Sequence, residues 1–191
     1  MAESGEFISN DPESLEIKSE YSTLLASIKS QMDPSNNSVL LVDDEKSIRR
    51  RVARDIQGTS KNISIFEAGN GKEALAKLEE IRSTRKRDPL FIVLDLNMPV
   101  MTGWEVIDAL RKDYESKGKV QGIPIIVLSS TSGEKGSLPF FRKSVHDDKS
   151  GYSPLVTIAK EACINSSKYD AQGEEGLMAW IKFFMKSGKT N

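Results

Sequence analysis

The chain has one cysteine, Cys163, and one histidine, His146, among 191 residues. A lone thiol excludes an internal disulfide framework and fits a reducing compartment. A lone imidazole gives no basis for a histidine-rich metal site, and His146 reads as a surface residue. A serine-histidine-acid hydrolase would need a Gly-x-Ser-x-Gly elbow, which is absent. A P-loop and a dinucleotide-binding Gly-x-Gly-x-x-Gly are absent as well. No apolar run approaches the roughly 20 residues of a membrane-spanning helix. The start, Met-Ala-Glu-Ser-Gly-Glu, is acidic and lacks the apolar segment of a signal peptide. The sequence therefore reads as cytoplasmic. An excess of charge is also missing: 27 basic and 28 acidic residues leave a net charge of −1, which gives no reason to bind nucleic acid or an anionic membrane. The basic cluster Arg82 to Arg87 reads as a solvated helix end.

What the sequence does have is a set of short apolar runs that end in polar residues. Leu90 to Pro99 reads Leu-Phe-Ile-Val-Leu-Asp-Leu-Asn-Met-Pro, the pattern of a strand buried on both faces that delivers Asp95 to its C-terminal edge. Val39-Leu40-Leu41-Val42-Asp43-Asp44 repeats the design, and Ile123 to Ser130 closes on Ser129 and Ser130. In open α/β sheets the ligand crevice lies outside the carboxyl ends of the strands. Three strands thus aim polar residues at one edge.

Between these runs the periodicity changes to helical. Glu45 to Gln57 carries Ile48, Val52 and Ile56 at four-residue steps. After a strand over Ile63 to Phe66, the Gly69-Asn70-Gly71 turn opens a helix with Leu75, Leu78 and Ile81 on its buried face. A third helix carries Trp104, Ile107 and Leu110, and Met98 to Gly103 before it is a loop in which Gly103 can adopt a positive φ. Strand-helix alternation predicts a parallel sheet wound on both sides. Residues 1–37 form an extension in which Asp11-Pro12 precedes Leu15, Ile17, Tyr21, Leu24, Leu25, Ile28 and Met32 at helical spacing. Burying such side chains is worth about 1.5–3 kcal/mol each, so this stripe is expected to pack on its own domain or in a homodimer.

Val-Asp-Asp-Glu, Asp-Leu-Asn-Met-Pro and Pro-Ile-Ile-Val-Leu-Ser-Ser together resemble the receiver domain of two-component response regulators, of the stand-alone, chemotaxis-regulator-like kind. The resemblance implies a flavodoxin-like, doubly wound sheet of five parallel strands in the order 2-1-3-4-5, spanning residues 38–188 with an insertion at about 132–152. It implies a phosphoacceptor, not an enzyme in the ordinary sense. Asp95 would receive a phosphoryl group from a sensor histidine kinase or a histidine phosphotransfer protein. Mg²⁺ would be held by Asp43 through a bound water, by Asp44 and Asp95 directly, and by the backbone carbonyl of Asn97. Ser129 matches the family's hydroxyl residue. Output would pass through a downstream protein, with no direct nucleic-acid or membrane contact.

The lysine that should touch the phosphoryl group has two candidates. Ser167-Lys168-Tyr169-Asp170 resembles the family's Ser-Lys-Pro-Phe-Asp turn without its proline and leaves a short loop before the last helix, about Glu174 to Lys186. Lys160 follows Leu155-Val156-Thr157-Ile158-Ala159, the better strand by β-propensity. Because Ser153-Pro154 also suits a helix start, Lys168 is favoured. Neither site offers the aromatic residue usual three positions before the lysine, those positions being Asn165 and Thr157. A non-switching pseudo-receiver that serves only as an interaction module is therefore the alternative reading.

Overall fold

The computed structural model describes residues 37–59, 62–119, 122–129 and 155–159. Five strands, β1 (Ser38–Val42), β2 (Ser64–Ala68), β3 (Phe91–Asp95), β4 (Ile125–Ser129) and β5 (Leu155–Ala159), form one parallel sheet in the order β2-β1-β3-β4-β5. Among the described residues three helices lie between them: α1 (Lys46–Thr59), α2 (Gly71–Arg85) and α3 (Gly103–Ser116). The expected doubly wound order is the observed one. The expected N-terminal helix, insertion and last helix fall outside the described residues. Among the described residues no helix is long and apolar enough to cross a membrane.

Right-handed crossovers send the chain from β1 outward to β2, then back past β1 to β3 and on to β4 and β5. The change of direction puts helices on both faces of the sheet. Leu40, Val42, Ile92, Leu94, Ile125 and Val127 pack with Ala74, Leu78 and Ile81 of α2 and with Val106, Ile107, Leu110 and Tyr114 of α3. The alternate residues Val39, Leu41, Phe91, Val93, Ile126 and Leu128 are buried too. So is the Ile48, Val52 and Ile56 stripe of α1. With both faces covered, these strands have no room for the polar alternation of a half-exposed sheet.

Helix ends are fixed locally. Asn70 caps α2 by accepting the Glu73 N–H at 2.9 Å. Thr102 and Glu105 close a reciprocal capping box on α3. Lys86 ends α2 in the left-handed region at φ 57°, a C-terminal stop that glycine more often supplies.

The expected solvated helix end is corrected at Arg82, whose side chain is only 18% exposed. Its guanidinium reaches Asp88 at 2.6 Å, Glu79 at 2.8 Å and Asp113 at 3.0 Å. Asp88 in turn accepts the Tyr114 hydroxyl at 2.6 Å. Burial opposes the charge of Arg82, but the hydrogen bonds to Asp88 and Glu79 outweigh it and raise its pKa. Burial and the Asp88 carboxylate likewise hold the Tyr114 hydroxyl above its usual range, so it stays protonated as a donor. This network ties the end of α2 to the end of α3 beneath the sheet. Tyr114→Phe is expected to lower unfolding stability by about 1–2 kcal/mol, because a part-buried carboxylate loses its donor. Urea denaturation monitored by circular dichroism checks the loss.

Candidate functional site

The reversal of direction in the sheet falls between β1 and β3, and the crevice outside their carboxyl ends is the place where such sheets bind ligands. Val42 pairs with Leu94 as the last register pair of the two strands, and the next residue on each is Asp43 and Asp95. Both are fully buried, whereas Asp44 is exposed. One carboxylate oxygen from each of the three lies within 4.8 Å of the others. Three like charges this close, two of them out of water, strongly disfavour one another unless a cation joins them.

The backbone around the cluster is closely determined. The Asp43 N–H donates to the Ala68 carbonyl at 3.2 Å, and Oδ1 of Asp43 accepts the Glu45 N–H at 2.8 Å. Its Oδ2 is buried and accepts no hydrogen bond among the described residues. Asp95 pairs with Leu128 across the sheet, and its Oδ1 accepts the Asn97 N–H at 3.3 Å. Asn97 is exposed just past the strand, between buried Leu96 and buried Met98.

Gly103 does not take a positive φ, and its role in the loop after β3 differs from the expected one. A Cβ on Gly103 would overlap the carbonyl oxygen of Asp95 and stand 2.8 Å from the Leu96 Cα. The glycine is needed for close approach of α3 to the end of β3. Gly71 is equally confined, since a Cβ there would stand 2.7 Å from side-chain carbons of Met101 and Val106. The left-handed conformation falls instead on Val100, at φ 71°, an unfavourable position for a β-branched residue. Val100 is also 80% exposed, and Trp104, expected on the apolar face of α3, is 51% exposed.

Ser129 stands at the end of β4, in register with Ala159 at the end of β5. The fifth strand of the sheet lies over Leu155–Ala159, so Ser153-Pro154, read as a helix start, comes directly before a strand. Parallel pairing of β-branched residues with β4 outweighs the preference for a short loop. Lys160 is the next residue after this strand; Lys160 and Lys168 are outside the described residues.

Two site residues went unnoticed in the sequence. Arg49 of α1 donates through Nη1 to the Asp43 carbonyl at 2.6 Å and the Asp44 carbonyl at 3.3 Å. Its Nε meets Glu67 of β2 at 3.0 Å. The available signal was a cation in a helix first turn that has no acidic residue, the end where the helix dipole disfavours positive charge.

The family model for the response regulator receiver domain matches residues 39–146. The chain belongs to this family. A protein-glutamate methylesterase/protein-glutamine glutaminase of Methanococcoides burtonii is 36% identical to this receiver over 99 residues, covering 51% of the chain and 24% of that protein. A probable transcriptional regulator ycf27 of Pyropia yezoensis is 34% identical over 99 residues, 52% of this chain and 35% of that one. The receiver thus spans about a quarter to a third of the length of these relatives. Among solved structures, the phosphorylated cyanobacterial phytochrome response regulator RcpA superposes with a TM-score of 0.55 at 23% identity, covering 82% of this chain and 98% of that chain. The Francisella response regulator 1452 receiver domain does so at 0.51 and 23%, covering 81% and 100%. At such identities the likeness establishes the fold alone.

Two substitutions check the loop geometry of the receiver. Gly103→Ala is expected to cost about 3 kcal/mol, since overpacking here presses on backbone that cannot yield. Val100→Asn, which tolerates the left-handed region, is expected to gain about 1 kcal/mol. Denaturant midpoints of the two variants against the parent chain measure both.

Proposed function

We propose that this receiver accepts a phosphoryl group on Asp95 from the phosphohistidine of a sensor histidine kinase or a histidine phosphotransfer protein, in the presence of Mg²⁺. It then signals through contact with a downstream protein. The observation that carries this reading is the convergence of Asp43, Asp44 and Asp95 within 4.8 Å at the reversal point of the sheet.

The donor set fits a hard divalent cation, because every ligand atom is oxygen and two or three carboxylates face one point. Asp43, Asp44, Asp95 and the Asn97 carbonyl would hold Mg²⁺, which when bound supplies positive charge against the phosphoryl oxygens. Asp95 is the nucleophile: a carboxylate oxygen attacks phosphorus in line, the P–N bond breaks, and the imidazole leaves with that electron pair and takes up a proton. The Ser129 hydroxyl hydrogen-bonds a phosphoryl oxygen. Lys160 is the lysine of this site in preference to Lys168, supported by the end of β5 at Ala159, level with Ser129.

Incubation with acetyl phosphate and Mg²⁺ is expected to add one phosphate by intact mass, and Asp95→Asn to abolish it. Labelling that survives that substitution would overturn the assignment. In the same assay Lys160→Met is expected to slow labelling at least tenfold while Lys168→Met leaves the rate unchanged; the reverse pattern would restore Lys168.

A further inference from the structure

The three carboxylates of the site are not held equally. Asp95 belongs to a strand, and Asp43 is buried and accepts the Glu45 N–H. Asp44 is exposed and, among the described residues, no hydrogen bond fixes its carboxylate. Its side chain is aimed by its backbone alone, and the orientation of that backbone is set by the peptide groups on either side.

Arg49 binds both of those peptide groups. One guanidinium nitrogen is shared between the Asp43 and Asp44 carbonyls, at 2.6 and 3.3 Å, while Nε is held at 3.0 Å by Glu67. The side chain is only 16% exposed. A cation in a helix first turn faces the positive end of the helix dipole, and here it also lies close to where a divalent cation would bind. Both effects disfavour it. The contacts to two carbonyls and to Glu67 are what offset that cost.

We infer that Arg49, anchored by Glu67, is a positioning residue that fixes the Asp43-Asp44 backbone and so presents Asp44 to the metal. The inference rests on the Mg²⁺ site proposed above. A planar guanidinium can satisfy two carbonyls and a carboxylate together, whereas an ammonium cannot hold all three in that geometry.

The sign of the effect separates positioning from plain electrostatics. Removing a neighbouring positive charge should tighten binding of a cation by Coulomb's law, whereas loss of the clamp should weaken it. The test is calorimetric titration of the full chain with Mg²⁺ alone, needing no phosphoryl donor. Arg49→Gln is expected to weaken binding at least fivefold and Glu67→Gln two- to fourfold. The double variant should lie within twofold of Arg49→Gln, because Glu67 acts through Arg49. Arg49→Lys keeps the charge and is expected to bind two- to fivefold more weakly than the parent. Equal or tighter binding by Arg49→Gln overturns the clamp, as does a Glu67→Gln effect that persists in full without Arg49. If Arg49→Gln does not fold, parental affinity in both Arg49→Lys and Glu67→Gln overturns it equally. A parent chain that binds no Mg²⁺ at millimolar concentration overturns the metal site and the clamp together.

Discussion

Mutual repulsion among Asp43, Asp44 and Asp95 is the constraint around which this molecule is arranged. A parallel sheet covered on both faces has no place for charge except beyond the ends of its strands, and the reversal between β1 and β3 brings two such ends side by side. Holding two carboxylates there out of water opposes folding. The opposing force comes from the buried aliphatic residues of β1, β3 and β4, whose pairing fixes the positions of the acidic residues whether or not those positions suit them. Chemical reactivity at this edge and the stability of the sheet therefore have different physical sources.

The loops carry the compromise. Gly103 allows the chain to pass within contact distance of the end of β3 and Gly71 allows it to pass against Met101 and Val106, and Val100 takes a backbone conformation that its own side chain resists. At the opposite end of the sheet the chemistry is inverted: the cations Arg82 and Lys117 meet the carboxylates Asp88 and Asp113, and Tyr114 donates to Asp88. One end of the sheet pairs opposite charges, and the other gathers three carboxylates within 4.8 Å of one another.

The apolar runs and their terminal residues made much of this legible. Val39 to Asp44 and Leu90 to Asp95 needed only the rule that a strand buried on both faces is continuously apolar, and from it came the strands and the three aspartates at their ends, while the strand order came from the resemblance to receiver domains. Features that depend on packing in three dimensions were not readable. Gly103 looked like a residue needing conformational freedom, when the need was for the absence of a Cβ against Asp95. Arg82 looked solvated because its partners Asp88 and Asp113 come from other segments. Arg49 escaped notice because its value lies in reaching backward to carbonyls, which no side-chain pattern records. The fifth strand turned on weighing β-propensity against loop length, and propensity was the better guide at Leu155–Ala159.

The order of the strands also governs how the site comes into being. Asp43 and Asp95 are separated by a complete strand-helix unit and more, so no local stretch of chain contains even a pair of the reactive groups from β1 and β3. Contacts of such long sequence separation are closed late and slowly in folding. During synthesis the first half of the receiver emerges without the acid that completes the cluster, and the repulsion is imposed only when β3 inserts beside β1. The cost of assembling the site thus falls on the same pairing of β3 with β1 that buries their aliphatic residues.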